Sequence, residues 1–495
     1  MARHQVLGSV LGLDVGTTTV TCAALVPGGT EPVPVVSRPV LRGRDEDGQP
    51  RPDPSSLLDA CDEALRACVA AVDGRVTAVG VSADPCPVVG LDRAGRPLTG
   101  VLTGTQARAA ELAAGLRRMP VGLHLLRATG RPVRPGSPLA ALMWSQDRDP
   151  ELCGRVHAWV GLQGLVLHHL TGRLLVDRTS ATASGLLDVA TGTWHEGALE
   201  LAGVGPEQLP RIVETTEILE VDPSAGHRTG LPAGTPVAAG AASHVCGVLG
   251  AVGASPGAAD LALDRAGRLH VVSAGDPPAR LPDGLSGSVL WQGRWVVGGE
   301  LGGAWGPVPC TAPDVLERAG RTPHGAGGLT VLPHLPDDVS PVWEGSLPGA
   351  VLGLAPYHRA EHLARAVLEA RALQVAVLLE AVVRLTGDVG PLDVRGGHLE
   401  HRWQLETLAA VLDRPVRTRA GPPPRAVGAA ALALHGLGVA TSPEAAGALL
   451  TVAQEPPVTV EPDPGLVDLH ADRRRRLADL AGGLGAAAGR LAHVR

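Results

Sequence analysis

The stretch Leu11–Thr19, which reads LGLDVGTTT, decides the fold at the start of the chain. Val10–Val15 is an apolar run, Gly16–Thr19 is typical of a tight turn, and Val20–Val26 is again rich in small and β-branched residues. The pattern predicts a β-hairpin with Asp14 near the end of its first strand. Backbone N–H groups and hydroxyls in such a turn can face a phosphate, and a carboxylate can hold hydrated Mg²⁺. We therefore predict metal binding by Asp14 and phosphate binding by Gly16, Thr17 and Thr18, with a purely structural turn as the alternative.

Strand and helix patterns alternate along the rest of the chain. Asp53-Pro54 is a helix-cap signal and predicts a helix from about Ser55 to Val72. Val76–Val81 and Pro87–Leu91 are short apolar runs of the kind found in buried strands. A long helix is predicted from about Ala360 to Leu385 in the second half. Alternation of this kind indicates an α/β fold.

A change in composition at Gly226–Pro236 (GHRTGLPAGTP) indicates a boundary between two α/β halves of similar size. We predict an N-terminal domain over residues 1–232, a C-terminal domain over 233–455 and a tail helix over 456–495. The tail contains the basic run Arg473–Arg476, flanked by acidic residues. This run is expected on a solvent-facing surface of the tail helix.

The composition argues against several classes of function. The chain has 495 residues, 44% of them hydrophobic, and a formal net charge of −7, which argues against a dedicated nucleic-acid-binding protein. It contains no lysine, so no lysine side chain can hold a phosphate or form a Schiff base. The seven cysteines form no Cys-x-x-Cys pair, and we predict neither a cleavable signal segment nor a membrane span. The expectation is a cytoplasmic protein that binds neither nucleic acid nor membrane.

Six longer segments carry a resemblance to a known family: Thr129–Trp144, His169–Trp194, Pro333–Leu354, His358–Ala370, Arg395–Val416 and Ala426–Ala433. In this order and spacing they resemble the FGGY carbohydrate kinases, and among these the gluconate kinases. The resemblance implies two actin-like (ribonuclease-H-like) α/β domains around a deep cleft, with the sugar held mainly by the first domain and Mg-ATP mainly by the second. It also implies transfer of the γ-phosphoryl group of ATP to a sugar hydroxyl, with an Asp as general base.

The resemblance also implies binding roles for individual residues. Gly396 and Gly397 correspond to glycines that let adenosine approach the backbone. On the sugar side, Arg108 matches the family pattern, whereas Cys86 stands where the family has a His and Gln106 where it has an Asp. These three residues are the expected substrate contacts.

The position of the family's catalytic Asp is occupied by Ser243. A serine hydroxyl accepts no proton at neutral pH unless another base activates it, and loss of a positioned base costs roughly 10²- to 10⁴-fold in rate. His244 is the local candidate for such a base, although neighbouring residues on a strand point to opposite faces. The sequence leaves open whether another carboxylate, such as Asp264 or Glu300, replaces the missing Asp.

Two functional hypotheses follow from the match and its departures. The first is an ATP-dependent carbohydrate kinase that uses Mg²⁺ and phosphorylates a sugar or a gluconate-like sugar acid. The second is a catalytically impaired pseudokinase that binds a ligand or acts as a scaffold. The sequence does not decide whether the protein is an active enzyme, which sugar it binds, or whether it forms a homodimer.

Overall fold

The structure is a computed structural model of the chain. It describes residues 8–29, 33–44, 50–72, 75–103, 107–134, 136–263, 267–275, 281–282, 284–291, 293–301, 312–332, 350–387, 389–396, 399, 401–451 and 456–476.

The strands of these ranges are, in chain order, β1 (Ser9–Val15), β2 (Thr19–Leu25), β3 (Val35–Pro39), β4 (Arg42–Arg44), β5 (Pro50–Pro52), β6 (Val76–Ala83), β7 (Val88–Leu91), β8 (Ala158–Gly161), β9 (Leu175–Asp177), β10 (Arg211–Val213), β11 (Ile218–Glu220), β12 (Pro236–Ala242), β13 (Ala259–Leu263), β14 (Gly267–Ala274), β15 (Leu285–Trp291), β16 (Arg294–Leu301), β17 (Thr330–Leu332), β18 (Ala350–Leu352), β19 (Leu392–Arg395), β20 (Val416–Thr418) and β21 (Val458–Val460).

The helices are α1 (Pro54–Ala71), α2 (Ala107–Arg118), α3 (Pro120–Thr129), α4 (Pro138–Arg148), α5 (Pro150–Arg155), α6 (Leu162–Thr171), α7 (Arg178–Ala183), α8 (Glu196–Ala202), α9 (Pro223–Thr229), α10 (Ser243–Val252), α11 (Pro313–Arg321), α12 (Ala360–Thr386), α13 (Arg402–Leu412), α14 (Pro424–Gly436) and α15 (Pro443–Leu450). Within the described ranges, no helix combines the length and the apolar character needed to cross a membrane.

The first sheet has the strand order β11-β12-β6-β1-β2-β3. Strands β3, β2 and β1 form an antiparallel meander, and β6 and β12 extend the sheet in parallel with β1. The predicted hairpin is confirmed, since Val15 pairs with Val20 and Asp14 with Thr21. The predicted helix after Asp53 is confirmed as α1, and the Asp53 carboxylate accepts a hydrogen bond from the Ser56 N–H at 2.7 Å.

The second sheet has the order β15-β16-β14-β13-β19-β20-β21 and repeats the topology of the first. Strands β16, β14 and β13 form an antiparallel meander, β19 and β20 follow in parallel, and β21 pairs antiparallel at the edge. The long predicted helix is confirmed as α12, which buries its apolar side against this sheet together with α13. The repeated mixed topology confirms the α/β prediction.

Helices α10 and α14 pack against each other between the two sheets. Their buried side chains share one cluster with Val10 of the first sheet and Val272 of the second. A Cβ on Gly80 would lie 1.9 Å from the carbonyl oxygen of Ala429 in α14, so only glycine fits there. This close approach fixes α14 against β1 and β6.

The sequence-based boundary between residues 232 and 233 falls between β11 and β12, which pair with each other in the first sheet. Strand β12 therefore extends the sheet of the N-terminal half, and α10 follows it at once. In the tail, β21 joins the second sheet and residues 464–476 are helical. The domain limits stay a prediction.

Candidate active site

Three parallel strands end together at one edge of the first sheet. In the strand register, Ala83 of β6 lies beside both Val15 of β1 and Ala242 of β12. Ligands of open α/β sheets bind outside the carboxyl ends of such strands. We call this region the carboxyl edge, and the polar or turn residues that occupy it are Asp14, Gly16, Asp84 and Ser243.

Asp14 is oriented by contacts on both sides of its carboxylate. Its Oδ1 accepts a hydrogen bond from Ser82 Oγ at 2.7 Å, and its Oδ2 lies 3.5 Å from Nη1 of Arg425. Arg425 comes from the first turn of α14. The Asp14 side chain is 15% exposed, and its oxygens are of the kind that Mg²⁺ prefers. Asp14 therefore fits the predicted metal-binding role.

The turn after Asp14 has the predicted form. The Gly16 N–H donates to the carbonyl oxygen of Thr19 at 3.0 Å and closes the turn. Thr17 is half-buried and Thr18 is exposed, so a ligand can reach the Thr18 hydroxyl. Hydroxyl and N–H donors beside a carboxylate suit a phosphate that is bridged by a cation. The phosphate-binding role of these residues stays a prediction.

Ser243 is buried at the start of α10, and within the described ranges its hydroxyl has no hydrogen bond to a carboxylate or an imidazole. His244 points elsewhere. Its Nε2 forms a hydrogen bond with Ser288 Oγ at 2.8 Å, and its ring stacks on His270 with a centroid distance of 5.4 Å. Burial, and then the nearby His270, hold the pKa of His244 well below its usual range. The His244 imidazole is therefore a weak base, and its hydrogen bond goes to Ser288 of the second sheet.

Asp84 is a carboxylate at the carboxyl edge that the sequence analysis did not single out. Its N–H donates to the carbonyl oxygen of Val15 at 3.0 Å, which holds it beside the end of β1. Its Oδ1 accepts a hydrogen bond from the Cys86 N–H at 3.1 Å. Burial raises the pKa of Asp84, partly offset by this N–H. Its position directly after the apolar run of β6 was the available signal.

The second sheet faces this carboxylate with charges of both signs. Arg268 of β14 and Glu300 of β16 are opposite each other in the register, and their Nε and Oε1 atoms lie 3.6 Å apart. The charges of both residues act on Asp84, as does that of Arg425. The carboxyl edge therefore faces a cleft lined with ionisable side chains.

Cys86 lies in this cleft and is half-buried. Burial raises the pKa of its thiol to about 12, and the charges of Asp84 and Glu300 raise it in the same direction. The thiol is therefore neutral at neutral pH and is a poor nucleophile. Its place suits a substrate contact, which stays a prediction.

Two arginines after α3 add positive charge near Cys86. The charge of Arg131 acts on the Cys86 thiol, and Nη2 of Arg134 donates to the carbonyl oxygen of Leu285 in β15 at 3.4 Å. Burial lowers the pKa of Arg134 to about 10, which leaves the side chain charged at neutral pH. Two guanidinium groups in this position suit an anionic substrate.

Several predicted site residues lie outside the described residues. These are Gln106 and Gly397, together with Asp264 among the carboxylates left open. Arg108 lies in α2, but its side chain is not among the described ones. Their roles stay predictions.

Gly396 directly follows β19 and lies next to the end of β13. It has a φ of +142°, and a Cβ there would lie 2.1 Å from the carbonyl oxygen of Leu263. The packing of two strands therefore requires this glycine, whatever binds nearby. A mainly apolar pocket adjoins Leu263 and is also lined by Leu368, Ala372, Trp403, Thr407 and Leu408. Through Leu263 it lies next to Gly396, on the predicted adenosine side.

A second polar cluster lies away from the cleft, where the tail helix meets α12. Ligand atoms of His324, Glu369 and His470 lie within 4.8 Å of one another. The Glu369 carboxylate already accepts hydrogen bonds from the Gly325 N–H at 3.0 Å and from Arg365 Nε at 2.9 Å, and Arg473 lies 3.3 Å from it. Two arginines on one carboxylate oppose a metal cation. We interpret this cluster as structural.

Comparison with known proteins covers both halves of the chain. The family model for the N-terminal domain of the FGGY family of carbohydrate kinases matches residues 9–250, and the model for the C-terminal domain matches residues 310–437. The gluconokinase of Bacillus licheniformis is 25% identical over 459 residues, which cover 87% of this chain and 88% of that protein. The glycerol kinase of Rhodospirillum rubrum is 28% identical over 460 residues, covering 88% of this chain and 91% of that protein.

Solved structures agree on the architecture. The gluconate kinase of Lactobacillus acidophilus superposes with a TM-score of 0.88 at 22% identity, covering 98% of this chain and all (100%) of that one. The xylulose kinase of Rhodospirillum rubrum gives a TM-score of 0.84 at 28% identity, covering 97% of this chain and 100% of that one. These matches confirm the predicted two-domain, actin-like α/β fold.

Proposed function

We propose that this chain, which belongs to the FGGY family of carbohydrate kinases, transfers the γ-phosphoryl group of ATP to a hydroxyl of a sugar or sugar acid, with gluconate as the model substrate. The observation that carries the proposal is the position of Asp14. Its carboxylate lies at the carboxyl edge, separated from the Gly-Thr-Thr turn by Val15 alone, and is fixed by Ser82. An oriented carboxylate beside N–H and hydroxyl donors is what a cation-bound phosphate requires.

Phosphoryl transfer depends mainly on positioning and on neutralising charge. Asp14 would hold Mg²⁺, whose charge neutralises phosphate oxygens when it is bound. The turn at Gly16–Thr18 would orient the transferred group through its N–H and hydroxyl donors. Helix α14 brings Arg425 to the same place, where its guanidinium adds positive charge.

A sugar acid is favoured over a neutral sugar by the charges near Cys86. Arg131 and Arg134 are both desolvated, and the charge of Arg268 in the second sheet acts on the same Cys86 thiol as that of Arg131. A carboxylate accepts two parallel hydrogen bonds from one guanidinium, which fixes its orientation as well as binding it. Glu300 offsets part of this positive charge, and the carboxylate of a sugar acid would offset more of it than a neutral sugar would.

The alternative, a ligand-binding protein without turnover, is favoured by one observation. Position 243 carries a hydroxyl that, among the described contacts, has no hydrogen bond to a base, and His244 is bound to Ser288. The same experiment decides between the two functions.

The experiment measures ADP release from Mg-ATP with a panel of sugars and sugar acids that includes gluconate. It compares the wild type with Ser243→Asp and with Asp14→Asn. We expect turnover by the wild type with a sugar acid and its loss in Asp14→Asn. Turnover by Ser243→Asp alone would mean a kinase site silenced at one position. If neither the wild type nor Ser243→Asp turns over, but ligand addition raises the melting temperature, the result would favour a ligand-binding protein without kinase activity.

A further inference from the structure

We propose that Asp84 is the general base of this reaction, so that the catalytic carboxylate lies on β6 rather than at position 243. The inference rests on the proposed function, and it names a catalytic residue that neither the resemblance nor the sequence analysis assigns. It answers the question left open by Ser243.

The backbone register places Asp84 next to the position of the missing acid. Ala83 pairs with Ala242, so Asp84 and Ser243 are the first residues beyond two adjacent parallel strands. Neighbouring strands lie about 4.8 Å apart. The carboxylate of Asp84 therefore lies one strand away from position 243, on the same edge of the sheet, and it faces the cleft.

The contacts of Asp84 leave it able to react. Among the described contacts its carboxylate has one hydrogen bond, from the Cys86 N–H to Oδ1, and Oδ2 accepts none. Glu300 is a carboxylate that faces this space from the second sheet, but its side chain is 56% exposed and pairs with Arg268. A base must be within hydrogen-bond reach of the proton and must not be neutralised by a partner. Asp84 meets the second condition better than Glu300.

Ionisable residues surround Asp84 from several elements. Cys86 follows it in the chain, Arg268 faces it from β14, Glu300 from β16, and Arg425 from α14. Asp14 lies on the neighbouring strand and is bonded to the same Arg425. Burial raises the pKa of Asp84, which brings a carboxylate closer to the pH at which it transfers protons.

The step conserves atoms and charge. The substrate hydroxyl oxygen forms a bond to the γ-phosphorus while its O–H bond breaks, and the proton passes to Asp84. The bond between the γ-phosphorus and the bridging oxygen breaks, and ADP leaves with that electron pair. Asp84 then releases the proton to water after the cleft opens.

The test compares Asp84→Asn with the wild type at saturating Mg-ATP and sugar acid. We expect kcat to fall by roughly 10²- to 10⁴-fold, the usual contribution of a positioned base. Binding of the sugar acid and of Mg-ATP, measured by thermal shift, should be retained because the amide is isosteric. The acid limb of the pH profile of kcat/KM should disappear in Asp84→Asn.

Two further variants sharpen the test. Asp92→Asn removes a carboxylate that pairs with Arg96 in an exposed turn outside the cleft, and it should leave kcat unchanged. The double variant Asp84→Asn with Ser243→Asp returns a carboxylate to the adjacent strand end, and it should recover part of the lost rate. Asp92→Asn is the matched control, because it makes the same Asp-to-Asn change at a position outside the cleft.

Several results would overturn the assignment. Unchanged kcat in Asp84→Asn would remove Asp84 from the chemistry while leaving the kinase function in place. Recovery of Asp84→Asn by raised Mg²⁺ would make Asp84 a metal ligand and not a base. A wild type without turnover on any substrate would overturn the proposed function itself, and with it this inference.

Discussion

Two carboxylates in this protein, the fully buried Glu369 and the half-buried Asp84, have opposite surroundings. Glu369 is fully buried and accepts hydrogen bonds from Arg365 and from the Gly325 N–H, with Arg473 also 3.3 Å away. Asp84 lies in the cleft with a single backbone N–H on its carboxylate. The comparison shows that partners, and not burial alone, separate a carboxylate that holds the fold together from one that can do chemistry.

The largest effect is expected from Glu369→Ala. Removing this carboxylate leaves Arg365, which is 1% exposed, as an uncompensated buried charge. Breaking a buried pair in this way costs about 3–5 kcal/mol in the free energy of unfolding. Urea denaturation measures it.

The matched control for this variant is Glu380→Ala on the same helix. Glu380 is 47% exposed and pairs with Arg474 at the surface, so its loss should cost about 0–1 kcal/mol. Equal losses in the two variants would contradict the structural role of Glu369.

A smaller effect is expected when both charges of the pair are removed. Arg365→Met combined with Glu369→Met replaces the ion pair by apolar side chains of similar length. Because no unpaired charge then remains at residues 365 and 369, the double variant should be more stable than Glu369→Ala. A double variant that is less stable than the single one would contradict the view that the unpaired charge of Arg365 causes most of the loss in Glu369→Ala.

The smallest effect, and one of opposite sign, is expected for the stability of Asp84→Asn. Burial raises the folded-state pKa of Asp84 above its unfolded value of about 3.9, so ionisation at neutral pH works against folding. The stability that the protonated form contributes is present below about pH 3.9 and is lost as the pH rises through the folded pKa. Asp84→Asn should therefore have a Tm equal to or above that of the wild type at neutral pH.

The pH dependence checks this prediction. The difference in Tm between Asp84→Asn and the wild type should shrink as the pH is lowered toward about 3.9. A Tm well below that of the wild type at neutral pH would show that Asp84 is a structural carboxylate like Glu369. The contrast with Glu369→Ala would then disappear.

The basic run of the tail shows where local sequence misleads. Arg473–Arg476 lies between acidic residues and was expected on a solvent-facing surface. Arg475 and Arg476 are exposed, with 73% and 76% of their side chains accessible. Arg473 is only 17% exposed and contacts Glu369. The prediction was wrong for Arg473, because its partner lies about a hundred residues away in the chain and no local pattern contains it.

The sequence by itself determined the hairpin around Asp14, the cap at Asp53, the long helix α12 and the α/β class. These depend on local periodicity, turn chemistry and capping, which act within a few residues. The resemblance along the chain extended this to the two-domain fold and to the missing acid at Ser243.

Only the tertiary structure decided what stands in the cleft. The register of β6 between β1 and β12 brings Asp84 beside residues 16 and 243, and the close packing of α14 brings Arg425 to Asp14. The second sheet then places Arg268 and Glu300 across the cleft from Asp84. These contacts join segments far apart in the chain, and their energies depend on burial and on charge distance, which exist only once the chain has folded.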